Sequence, residues 1–164
     1  MRMWNRGMPS VTMVSRLLDA ADQLANEGAK SSAFKRRAVS TAYYAVFHAL
    51  AKLCAESLLP AADGKSEEYS RIYRALEHRS LKPAFEKEPL KDREALRKIG
   101  ELVVSLYSER QLADYAPPLQ KRYSQREAKN LVDQARQAVA EINSLGKNDR
   151  RILATHLLFR ARQS

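Results

Sequence analysis

The chain has 164 residues, which suits one hydrophobic core better than two domains. Glycine (5) and proline (6) are scarce, and Ala, Leu, Arg, Glu, Lys and Gln dominate, a helix-forming usage that argues against a sheet. Lys and Arg outnumber Asp and Glu by 29 to 19, a formal charge of +10 that favours a polyanionic or acidic partner, the plainer alternative being a solvated basic surface.

In chain order, the first helix reads from about Val11 to Asn26. Val14, Leu17, Leu18, Ala21, Leu24 and Ala25 recur there at helical spacing, and Gly28 stands as a stop. The second runs from about Ser32 to Leu59, apolar round most of its circumference and ended by Pro60 and the Ala61-Ala62-Asp63-Gly64 turn. Such a helix is usually central. The third, about Glu67 to His78, buries Tyr69, Ile72, Tyr73 and Leu76 and leads into a loop with Pro83 and Pro89. The fourth starts near Asp92, carries Ile99, Leu102, Val103 and Leu106, and stops at Pro117-Pro118. The fifth opens on Ser124-Gln125-Arg126-Glu127, a capping-box spacing, and keeps Ala128, Leu131, Ala135, Val139 and Ile142 on one face until Gly146. Asn148-Asp149 is placed to cap a sixth, Arg150 to about Arg162, anchored by Ile152, Leu153, Leu157 and Phe159.

Five to six amphipathic helices joined by polar loops can bury their stripes only against one another. The expected fold is an all-α, up-and-down antiparallel bundle forming a single domain over 1–164, with a core over about 11–146 and a basic C-terminal helix over about 149–162. The lone Cys54 excludes an internal disulfide and a cysteine-based zinc cluster and fits a reducing cytoplasm. There is no apolar run of roughly 18 residues and no signal-like hydrophobic region in Met1 to Pro9, so a soluble, cytoplasmic protein is expected.

Chemistry concentrates in few places. Along the second helix, Arg37, Thr41, Tyr44 and His48 recur at spacings of four, three and four, a polar stripe that must meet water, another polar row or a ligand. A hydrogen-bond network between helices and a cleft account for it equally well. Tyr43, Phe47, Leu50 and Cys54 beside it read as core. On the fourth helix Arg110 continues the apolar stripe of Ile99, Val103 and Leu106, so it points inward and needs an anion. Asp114 and Glu109 are the candidates, with Tyr115 just before the proline stop, and a salt bridge closing the helix end is the plain alternative.

Three histidines could move protons near neutral pH: His48, His78 and His156. His78, one turn after Arg74, could hold a phosphate with it, although a basic helix end also complements the helix dipole. His156 sits among apolar residues and reads as packed or half-exposed. No glycine-rich phosphate loop, metal-ligand cluster or nucleophile elbow is present, so no cofactor or metal is expected. Further basic groups are Lys30/Lys35/Arg36/Arg37, Arg71/Arg74/Arg79/Lys82, Lys121/Arg122/Arg126 and Lys147/Arg150/Arg151/Arg160/Arg162. Gathered on one face, they would track phosphates.

Three segments, Arg37-Ala38-Val39-Ser40-Thr41-Ala42-Tyr43-Tyr44-Ala45-Val46-Phe47-His48, Tyr73-Arg74-Ala75-Leu76-Glu77-His78 and Glu109-Arg110-Gln111-Leu112-Ala113-Asp114-Tyr115, together resemble the HEPN family, named for higher eukaryotes and prokaryotes nucleotide-binding. The resemblance covers the second to fifth helices. It implies an up-and-down helical bundle, commonly a symmetric homodimer, with roles in RNA cleavage, toxin–antitoxin pairs and phage defence. Active members resemble metal-independent ribonucleases that pair an arginine with a histidine a short spacer later. Arg110 occupies the arginine position, but Tyr115 stands where the histidine belongs. A tyrosine of ordinary pKa near 10 is a poor base at neutral pH, so catalysis would need a shifted Tyr115 or a substitute such as His48 or His78. Arg71 and His78 have a similar spacing on the third helix, and the motif is not carried onto them.

Two readings follow. In the first, the chain is a HEPN-like RNA-associated domain of the degenerate metal-independent ribonuclease kind, with Arg110, Asp114 and Tyr115 facing the second-helix stripe. In the second it is a non-catalytic module that dimerises or binds a partner such as a minimal nucleotidyltransferase.

Overall fold

The computed structural model describes residues 12–27, 31–59, 66–117 and 123–161, and over them the chain is all-helical. Its helices are α1 (Met13–Glu27), α2 (Ser32–Leu58), α3 (Glu67–Ala75), α4 (His78–Phe85), α5 (Glu94–Tyr115), α6 (Gln125–Ser144) and α7 (Lys147–Leu158). Hydroxyl caps start most of them. Thr12 and Ser15 exchange backbone-to-side-chain hydrogen bonds at the head of α1, at 3.0 and 3.2 Å. Ser31 Oγ accepts from the Phe34 amide, and Ser66 Oγ from the Tyr69 amide. At α6, Ser124 and Glu127 close a full capping box, as their spacing predicts.

Contacts between helices give their directions. From α1 to α6, Gln125 donates to the carbonyls of Ala25 and Asn26 while Arg136 pairs with Asp19 and Asp22, so residue numbers run in opposite senses. The same holds for α2 and α5, where Tyr44 meets Arg110 and Ser40 meets Asp114. It holds again for α5 and α6, through Glu109 with Tyr123 and Lys98 with Glu141. The four long helices therefore alternate up and down. Helix α2 packs against α1, α3, α5, α6 and α7, and from Ala38 to Ala55 most of its side chains are buried. Many of these are alanines, which let neighbouring helices approach closely, with Tyr43, Leu50 and Leu53 filling the space between.

The single third helix expected over Glu67 to His78 is two. Leu76 and Glu77 are extended, with ψ of 126° and 137°, so α3 ends at Ala75 and His78 begins α4. Burial of Leu76 explains the break, since its side chain enters the core where a continuing helix would carry it past. Tyr69, Ile72 and Tyr73 are half-buried rather than buried. Pro83, expected in a loop, lies inside α4, where buried Leu81 and Phe85 hold the turn against the proline's missing donor. Phe85 in turn requires Gly100 on α5, because a Cβ there would fall 2.7 Å from its ring. Helix α7 starts at Lys147 with Gly146 as its cap, so Asn148 and Asp149, expected to cap it, lie inside its first turn, where Asp149 pairs with Arg93 at 2.6 Å. It ends at Leu158, and Phe159, expected as an anchor, lies beyond it and is 60% exposed. Val11, Gly28, Lys30, Pro60 to Gly64, Pro118, Lys121, Arg122 and Arg162 lie outside the described residues.

Candidate functional site

The core of the site is the crossing of α2 and α5. Arg110 of α5 turns inward, its side chain 14% exposed, and its Nη2 donates to the Tyr44 hydroxyl at 2.8 Å. Its Nε lies 2.9 Å from Asp114 Oδ2, yet the N–H is not aimed along that line, so this is an ionic contact and not a hydrogen bond. Asp114, one turn on, also accepts from the buried Ser40 hydroxyl through its other oxygen. The guanidinium carbon lies over three tyrosine rings, Tyr44 at 5.4 Å, Tyr115 at 5.8 Å and Tyr43 at 5.9 Å. Burial opposes its charge, but the Tyr44 hydrogen bond and the fields of Tyr44, Asp114 and Tyr115 outweigh burial and raise its pKa. Among the described residues Nη1 makes no hydrogen bond, so part of the guanidinium fork is unspent.

Helix α4 adds a histidine to this cluster. His78 stacks on Phe47 with centroids 3.8 Å apart, meets the Tyr44 ring edge-on at 5.7 Å, and its Nδ1 lies 2.7 Å from the Tyr43 hydroxyl. Tyr43 is wholly buried and has no other hydrogen-bond partner among the described residues, so its O–H donates to Nδ1 and the imidazole carries its proton on Nε2. Burial, then the Arg110 charge and His48, lower the His78 pKa, which keeps the ring neutral at pH 7. Burial also raises the Tyr43 pKa, so the hydroxyl stays protonated. Beyond it, His48 Nδ1 lies 2.5 Å from the Tyr73 hydroxyl of α3, and burial lowers the His48 pKa too.

The polar stripe of α2 keeps Tyr44 in its expected place, but its first half is displaced by one residue, about 100° of helix. The side chains that meet α5 are Arg36, Ser40 and Tyr44, four residues apart, whereas Arg37 is exposed and Thr41 half-buried. Arg36 closes the end of α5, its Nη1 donating to the Ala116 carbonyl at 2.7 Å and its Nη2 to Pro117 at 2.9 Å. Arg74 is exposed on α3 and makes no hydrogen bond or ion pair with a described residue, so it does not act with His78, which faces inward on a separate helix. Glu109 faces Tyr123 rather than Arg110, and His156 is exposed. Sequence singles out neither Ser40 nor the hydroxyls of Tyr43 and Tyr73, and it marks Arg36 only as one of a basic group. The period of four through Ser40 and Tyr44 was the available signal.

Among the described residues, no group of three or more His, Cys, Asp or Glu side chains is placed to hold a metal ion, and no helix is long and apolar enough to cross a membrane. A cavity of about 270 Å³ between α1, α2, α6 and α7, lined by Ser15, Lys52, Glu56, Asn143 and Arg150 among others, lies on the opposite side of α2 from Arg110. Compared with known proteins, the chain matches no family model, no curated protein and no solved structure.

Proposed function

We propose that this chain is a HEPN-like, RNA-associated domain of a prokaryotic toxin–antitoxin or defence system, and that RNA meets it at Arg110. The observation that carries the reading is convergence. The three segments that resemble the family are far apart in sequence, yet they meet at one place through Ser40 with Asp114, Tyr44 with Arg110, and Tyr43 with His78. The guanidinium keeps unspent donors, and a chain of charge +10 draws polyanions toward it. Binding is better supported than cleavage. Tyr115 holds the place of the family's histidine, and the Nδ1 of His78 is committed to Tyr43, leaving only its Nε2–H to face a ligand.

The test is a titration of labelled RNA at low salt with the protein and with Arg110→Ala, alongside circular dichroism. Loss of a charge-assisted contact predicts affinity falling about tenfold or more with helical content retained. Undetectable RNA binding by the unsubstituted protein, or equal binding by the variant, would sink the proposal. Incubation with a mixed RNA pool separates a degenerate ribonuclease, which leaves Arg110-dependent fragments, from a binding domain.

A second reading, a module that dimerises or binds a partner protein such as a nucleotidyltransferase, draws on Phe34, Leu112 and Tyr115. These exposed apolar side chains lie at the α2 start and the α5 end, which Arg36 ties together. RNA-independent dimerisation lost in Leu112→Glu would favour it.

A further inference from the structure

Tyr115 is the most exposed large hydrophobic side chain at this site, 75% accessible, on the last turn of α5. A tyrosine left so open forgoes the burial that usually accounts for its place in a helical protein. Its ring is nevertheless not isolated. Arg110 lies over it at 5.8 Å, and Arg110 is itself held by Tyr44 and Asp114, so the ring flanks an anchored cation. Leu112, exposed and three residues earlier, lies on the same side of the helix and extends the apolar shelf.

We infer that Tyr115 is a stacking platform for an unpaired nucleobase, so that the site takes single-stranded and not duplex RNA. The inference rests on the RNA-associated reading and names the form of RNA. A base stacked on the open ring leaves its own phosphate within reach of the unspent Arg110 donors, which gives one nucleotide both a π-contact and a charge contact. In a duplex both faces of each internal base are covered by its neighbours, and A-form RNA offers proteins chiefly phosphates and 2′-hydroxyls. Duplex would therefore engage the cations alone. Because every base has a π-face, the platform predicts little sequence preference.

The experiment is fluorescence anisotropy with a labelled RNA oligonucleotide of mixed sequence, single-stranded and annealed to its complement, titrated with the full chain and with Tyr115→Ala and Tyr115→Phe. Tyr115 is exposed, so both variants are expected to fold, which circular dichroism checks. Single-stranded RNA should bind more tightly than duplex. Tyr115→Ala should weaken single-strand binding roughly tenfold while leaving duplex binding unchanged, and Tyr115→Phe should restore the lost affinity. Equal binding of both forms that still depends on Arg110, or a single-strand affinity untouched by Tyr115→Ala, overturns the stacking platform and leaves the RNA-associated reading standing. A chain that binds neither form overturns both.

Discussion

Tyr43 and His78 show how a buried polar atom sets the state of its neighbour. The Tyr43 hydroxyl has no water to meet, so it must donate to His78, and this orders the imidazole, its tautomer and its stacking on Phe47 together. Acid works against the arrangement. The pKa values of His78 and His48 lie below the ordinary 6.5 in the folded protein, chiefly through burial, so the unfolded chain binds more protons as the pH drops. Their contribution to stability is complete above pH 6.5 and is lost as the pH falls from there through the folded values. Thermal melts should show Tm falling on acidification below pH 6.5, and the double variant His48→Gln/His78→Gln should show a flatter slope. An unchanged slope in that variant would remove the histidines from the account. Cys54, whose thiol burial pushes up to about 12, should react with thiol reagents only as fast as the chain opens.

At the scale of elements, the short helix α4 decides the site. It exists because Leu76, Leu81 and Phe85 are drawn into the core, and its position depends on Gly100 leaving room for the Phe85 ring. Gly100→Ala should gain about 1 kcal/mol of helix propensity but incur an overpacking cost of about 1–3 kcal/mol, a net loss near 1 kcal/mol. Urea denaturation checks the sign, and a stabilised variant would mean that Phe85 moves aside freely. The capping box of α6 is a cleaner case, since Ser124 is exposed and acts only through the helix end. Ser124→Ala should destabilise by about 1 kcal/mol, a fall of roughly 2–4 °C in Tm for a domain of this size. Each effect is local, and the two should add in the double variant, because Gly100 lies in the first turns of α5 whereas Ser124 sits towards its other end, where the adjoining Tyr123 meets Glu109.

For the whole molecule, the governing quantity is the excess of ten positive charges. If RNA is held through phosphates, the logarithm of the binding constant should fall linearly with the logarithm of salt concentration, with a slope of about −0.7 for each phosphate neutralised on a single strand. Arg110→Ala should make that slope shallower by one contact, which a salt titration of both proteins measures. A flat salt response would point to the partner-protein reading instead. Several cations are already engaged: Arg136 with Asp19 and Asp22, Lys98 with Glu141, Arg93 with Asp149, and Arg150 with Glu56. The number of phosphates met should therefore be well below the number of Lys and Arg residues.

Helical periodicity alone determined the four long helices and their alternation, because each must bury a stripe that repeats with the helix turn. The Ser124 to Glu127 cap and the inward direction of Arg110 were likewise local facts, readable from spacing. What only the tertiary structure decided was where the polar atoms meet. Periodicity placed the stripe of α2 one residue out, on Arg37 and Thr41, because the helix is apolar on nearly every side and its orientation is set by what packs around it. The break at Leu76 and Glu77, and with it the turn of His78 onto Phe47 and Tyr43, has no strong local signal. It follows from the shape of the core between α2 and α5, which comes into being only when the helices pack.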